Sequence, residues 1–256
     1  MTNDVVEQRR ILIPIDLHGV NRSTLETLVS IARQLNRGVL GLLLEDTRLQ
    51  RVADLPFTTE ITLSTGRERS LLRDHLSQRH SLVTADTQRI LNELAERDRV
   101  QLSYEQAVGT RWHTALERDG HLDIFFPARR RWHIASHSQG NSGGSNLRIG
   151  LVLANTEQDQ RALDAAGMIQ QAGLGGDVYV LSQRAPAPHQ LQALYRPHSR
   201  VSVQSNLPCS PETITGLIRH SPYDLLLLPH DCLIGIAPDQ LDAALDKSGA
   251  QILVIN

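Results

Sequence analysis

Short runs of residues that are apolar at nearly every position recur along this chain: Ile11 to Ile15, Val39 to Leu44, Ile149 to Ala154, Leu225 to Pro229 and Ile252 to Ile255. A strand exposed on one face alternates apolar with polar residues. A strand apolar on both faces must be covered from both sides, which is the condition of a parallel α/β sheet. The β-branched Ile11, Ile13 and Ile15 favour the extended conformation, while Pro14, which has no N–H, belongs near an edge or a strand end. Asp16 to Gly19 turns the chain. Asn21 or Ser23 then caps a helix through Leu25, Leu28, Val29, Ala32 and Leu35, with Gly38 as the expected stop. The strand Val39 to Glu45 completes a βαβ unit.

The same order continues. Thr47 to Ala53 has helical character, interrupted by Asp54 to Phe57. Phe57 to Leu63 alternates as a short exposed strand. Ser64 to Arg69 has the composition of a helix start, and helical spacing follows through Leu71, Leu72 and Leu76 and again through Ile90, Leu91 and Leu94. Val100 to Val108 and Leu122 to Pro127 read as the third and fourth strands, with a short helix over 110–119 between them. The polar, glycine-rich stretch 137–146 has the composition of a linker. Beyond it the pattern restarts: a strand over 147–154, a helix capped by Thr156 and closed by Gly173, and strands at 177–181, 200–204, 223–229 and 251–255. Helices opening at Ser210-Pro211 and at Pro238 intervene. The expected architecture is α/β, with two doubly wound parallel-sheet domains of Rossmann-like type over residues 1–136 and 147–256. The first half has no evident fifth strand, and the strand at Leu147 suits either half.

A formal charge of −2 gives no electrostatic reason to expect nucleic acid or anionic lipid as a partner. Lys247 is the only lysine among 26 basic residues, which reads first as genome composition. Cys209 and Cys232 form neither a disulfide framework nor a metal-ligand pattern. No apolar run reaches membrane-spanning length, and the first ten residues lack a signal-peptide core. The expectation is a soluble cytoplasmic protein.

Two such halves resemble the universal stress protein family in a tandem form. The resemblance is carried by Arg10-Ile-Leu-Ile-Pro-Ile-Asp16 as a first strand ending in aspartate. Asp123 to Pro127 and Asp224 to Pro229 stand as fourth strands, and Ser248 to Ile255 as a closing turn and fifth strand. It implies the fold, with strand one beside strand four, and a role in stress response. Nucleotide-binding members carry Gly-x2-Gly-x9-Gly-Ser/Thr after the fourth strand, a loop whose backbone N–H groups cradle phosphate. Here those places hold Ala128 to His133 and His230 to Pro238, without that pattern of glycines.

In an open α/β sheet, ligands sit at the carboxyl ends of the strands where the winding reverses. The candidate ligand residues there are Asp16, His18 and the arginine run Arg129, Arg130 and Arg131 in the first half, and Asn155 and His230 in the second. Guanidinium groups bind phosphate by paired hydrogen bonds, so the arginines offer a replacement for the lost loop; arginine runs are also commonly solvated surface. No catalytic residue and no metal ligand set stands out. His230-Asp231-Cys232 reads as a structural loop, because adjacent residues rarely form a nucleophile and its base. The segment 46–66 is long for a simple crossover and suits either an insertion or a partner surface.

These readings converge on a non-catalytic regulatory or scaffolding protein whose two halves pair within the chain, with protein partners and with homodimerisation left open. The rivals are a stress protein binding ATP or AMP through the arginines, and a nucleotide-dependent hydrolase or transferase.

Overall fold

The structure, a computed structural model, describes residues 9–45, 47–62, 65–118, 122–128, 147–197 and 199–256. The arginine run and the glycine-rich stretch 137–146 lie outside them.

The first half contributes β1 (Arg10–Ile15), α1 (Arg22–Gln34), β2 (Gly38–Glu45), α2 (Thr47–Ala53), a hairpin of β3 (Thr59–Ile61) and β4 (Glu68–Ser70), α3 (Arg73–Asp98), β5 (Leu102–Val108), α4 (Arg111–Leu116) and β6 (Asp123–Phe126). The second contributes β7 (Leu147–Leu153), α5 (Gln158–Gln171), β8 (Gly175–Ser182), β9 (Val201–Gln204), α6 (Pro211–His220), β10 (Leu225–Pro229), α7 (Pro238–Leu245) and β11 (Gln251–Ile255). Asn21 caps α1 by accepting from the Thr24 N–H, and Ser210 caps α6 by accepting from the Thr213 N–H.

Nine of the strands form one sheet in the order β5-β2-β1-β6-β11-β10-β7-β8-β9. Every pairing in it is parallel except β6 with β11, where Phe126 faces Ile252 and Ile124 faces Val254 in antiparallel register. The Leu147 strand pairs with β8 and β10 and so serves the second half. The place beside β6 is filled by β11. Pro14 is tolerated inside β1 because β6 pairs only with Ile11 and Leu12, so that ladder ends before the proline.

Alternate strand residues supply opposite faces, as the pleat requires. Ile11, Ile13, Phe125, Leu227 and Leu253 pack in one layer with α1, α3 and α5. Leu12, Ile124, Phe126, Leu226 and Val254 pack in the other with α4, α6 and α7. Each layer runs without a break across both halves. This is a Rossmann-like, doubly wound α/β fold. Among the described residues, no helix is long and apolar enough to cross a membrane.

Several local expectations are corrected. Asn36, with a φ of 51°, takes the left-handed position after α1, and Gly38 opens β2 instead of ending the helix. Gly66, with a φ of +65°, turns the β3–β4 hairpin, donating its N–H to the Thr62 carbonyl. The helix expected from Ser64 therefore begins only at Arg73, and it then runs unbroken to Asp98. Thr156 does not cap α5, which starts two residues later without a side-chain cap.

The β6–β11 seam carries a buried polar cluster. Asp123 is 1% exposed and pairs with the Arg37 guanidinium. Its Oδ1 also accepts the Asn256 N–H at 3.0 Å, and the Asn256 side-chain amide donates to the Leu122 carbonyl. Asp123→Ala leaves Arg37 buried without its counterion, so unfolding in urea is expected to show a loss of about 3–5 kcal/mol. Asp123→Asn, which keeps an acceptor for Asn256, is expected to lose less.

Candidate functional site

Because β6 and β11 run in opposite directions, the carboxyl ends of the two parallel sets lie at opposite ends of the strands. Asp16 and His18 stand at one end, and Asn155 and His230 at the other. The structure therefore does not bring the candidate residues into a single site.

In the first half, β1 lies beside β6 as expected. Asp16 Oδ1 accepts the His18 N–H at 2.9 Å, and the Gly19 N–H donates to the Asp16 carbonyl at 3.0 Å. Gly19 holds a φ of +61° with its Cα turned toward Val83 of α3, where an added Cβ would lie 2.9 Å from Val83 Cγ1. The aspartate thus organises an Asx-type turn, with His18 exposed beside it. Arg129, Arg130 and Arg131, expected across this crevice, lie outside the described residues.

In the second half, the end of β7 is closed by a residue that the sequence reading missed. Asp159, in the first turn of α5, accepts the Ala154 N–H at 2.9 Å and the Asn155 N–H at 2.8 Å, one on each carboxylate oxygen. Asn155 takes a φ of 61°, which turns the chain so that both N–H groups reach that carboxylate. The signal was present in sequence as an acid placed just beyond a strand end, where it also complements a helix N-terminus. After β10, His230 begins a 3-10 turn over His230–Leu233, and the Asp231 N–H donates to Gln158 Oε1 at 3.4 Å.

Burial holds the half-buried His230 below the usual imidazole range, against an opposing pull from Asp231. Burial is also the main cause that pushes the Cys209 and Cys232 thiols up, with Asp159 raising both. A raised thiol pKa disfavours the thiolate, so neither cysteine is prepared as a nucleophile. Cys209 instead donates weakly to the Leu153 carbonyl at 3.8 Å. Among the described residues, no group of three or more His, Cys, Asp or Glu side chains is arranged to hold a metal ion.

Two cavities open near strand ends. One of about 530 Å³ lies beside the ends of β7 and β8 and is lined by Asn155, Thr156, Glu157, Asp159 and Arg184 among others. Among the described residues its lining sets one cation, Arg184, against two acids, Glu157 and Asp159, a poor balance for a polyphosphate. The other, of about 510 Å³, lies between α3 and the ends of β2 and β5. No protein-family model matches this chain, and no curated protein matches it significantly.

Two outcomes follow from this geometry. Asp159→Ala removes the acceptor of two backbone N–H groups and is expected to lower stability by about 1–3 kcal/mol in denaturant unfolding. His230 has a folded pKa below its unfolded value of about 6.5, so its contribution to stability is present above that pH. It declines as pH falls from there toward the folded pKa, because the unfolded state binds the proton first. Unfolding midpoints measured from pH 8 to 5 are expected to fall less steeply in His230→Asn than in the wild type.

Proposed function

We propose that this chain is a tandem universal-stress-protein-like regulatory or scaffolding protein that works through protein contacts instead of a nucleotide phosphate loop. The observation that carries this reading is Asp159. In a phosphate-binding α/β crevice, backbone N–H groups at the strand end and helix start receive the anion. Here the chain's own carboxylate takes the N–H groups of Ala154 and Asn155, so an incoming phosphate meets a negative charge in place of donors. The resemblance carried by the first, fourth and fifth strands supports the family part of the reading, as does the adjacency of β1 to β6 and of β7 to β10.

Support for a protein contact comes from the segment between β2 and α3. Leu55, Phe57, Ile61 and Leu72 are exposed large apolar residues there, with Phe57 at 99%. Such a concentration of exposed apolar side chains is a mark of interaction surfaces.

Calorimetric and thermal-shift titrations with ATP, AMP and cyclic dinucleotides are expected to show no saturable binding, since a ligand selective for the folded state raises apparent stability by mass action. Saturable binding of ATP that disappears when Arg129 to Arg131 are replaced would establish the arginine-site rival. In affinity capture, a partner of this surface is expected with the wild type and lost with the double variant Phe57→Ser and Ile61→Ser. The thermal midpoint of that variant is expected to stay close to the wild type, because both side chains are already in water.

A further inference from the structure

The nine-stranded sheet ends on β5 at one side and on β9 at the other. An edge strand carries a row of unpaired backbone N–H and C=O groups, and such edges are usually guarded by charge, proline or a bulge. β5 has a guard in Glu105, at the middle of the strand. β9 reads Val201-Ser-Val-Gln204 and contains neither a charge nor a proline. It is also thinly covered. Among the described residues, the connection from β8 to β9 holds a short 3-10 turn over Gln192–Leu194 and no α-helix. Val201 and Val203 lie beside Val178 and Val180 of β8, on the face that packs with α5. Val201 is half-buried there, and Val203 is 43% exposed.

The ladder fixes which groups of β9 face outward. The Val178 N–H donates to the Arg200 carbonyl at 2.9 Å. With Val178 beside Val201 in a parallel pair, the Ser202 backbone groups point to β8, and those of Val201 and Val203 point away from the sheet. A second copy related by a two-fold axis meets them in antiparallel register. With Ser202 on the axis, Val201 stands opposite Val203 of the second copy, and each such pair exchanges both of its N–H to carbonyl bonds. This register sets β-branched residues opposite each other and closes over the exposed Val203. It also sets Arg200 opposite Gln204 of the second copy, where the guanidinium meets an amide oxygen and no like charge. The same operation centred on β5 brings two Glu105 carboxylates together, which is unfavourable.

We propose that β9 is a self-association edge, joining two copies of this chain across a two-fold axis through Val201 and Val203. Two strands of this length cover far less than the about 800 Å² per partner of a standard interface, so the dimer is weak and forms at high protein concentration. The edge lies across the sheet from the exposed segment between β2 and α3, and the proposal stands whether or not the reading above holds.

Sedimentation velocity between about 10 μM and about 1 mM is expected to show a weight-average coefficient that rises with concentration, as a weak dimer implies. Over the same range the Val201 and Val203 amides are expected to gain protection from hydrogen exchange, while the Ser202 and Gln204 amides, which point to β8, keep theirs. Ser202→Lys and Ser202→Glu each place like charges on the axis and should each weaken the dimer at least about tenfold. An equimolar mixture of the two variants should associate again, a recovery that misfolded variants cannot give. Gln106→Lys, at an exposed position of β5, should leave association unchanged. A coefficient that stays at the monomer value would overturn the proposal, and it is the result expected if another segment of the same chain covers β9. Unchanged protection at Val201 and Val203, wild-type association in both Ser202 variants, no recovery on mixing them, or an equal loss in Gln106→Lys would overturn it as well.

Discussion

The antiparallel pairing of β6 with β11 is the interaction on which the rest of the molecule depends. β6 has only four residues, all buried, and among the described residues no further strand of the first half follows it. Left alone it would present unpaired N–H and C=O groups at an apolar edge, which is the usual template for unwanted association. β11 removes that edge from both halves at once. The seam is specified as well as covered. Asp123 holds Arg37 on one side and the Asn256 backbone on the other, which fixes the register by charge and hydrogen bonding. A buried pair of this kind is weak evidence of net stability, and its clearer effect is to penalise any other alignment of the two strands.

That pairing also sets where chemistry can occur. Reversing strand direction at the centre of the sheet sends the two sets of carboxyl ends to opposite ends of the strands. The candidate residues of the two halves therefore lie at opposite ends of the strands, each set in its own half. Both ends are shaped by local hydrogen bonds to aspartate: Asp16 closes a turn on the His18 N–H, and Asp159 closes another on Ala154 and Asn155. Acids in these positions form turns readily because a short carboxylate reaches backbone N–H groups two to five residues away. The same reach that stabilises the turn occupies those backbone donors.

The long connection from β2 to β5 departs most from a plain crossover. It spends its residues on α2, a two-stranded hairpin and a helix of 26 residues. Its composition was legible in part. The alternation at Phe57 to Leu63 found β3, but Gly66 was absorbed into a helix start because its left-handed φ belongs to a hairpin turn that only the partner strand β4 reveals.

What the sequence determined by itself was the set of elements and their class. Doubly apolar strands must be covered on both faces, and helices with a single apolar stripe must supply the covers, so the α/β layering follows from local pattern. Caps such as Asn21 and Ser210 were readable for the same reason, since they act within a few residues. The tertiary structure alone decided that β11 stands beside β6, that Leu147 opens a strand of the second half, and that Asp159 answers the end of β7. These depend on groups brought together across the sheet or across a turn, through hydrogen bonds and burial that no window of sequence contains. Strand propensity states that an edge exists, and only the folded chain shows which partner fills it.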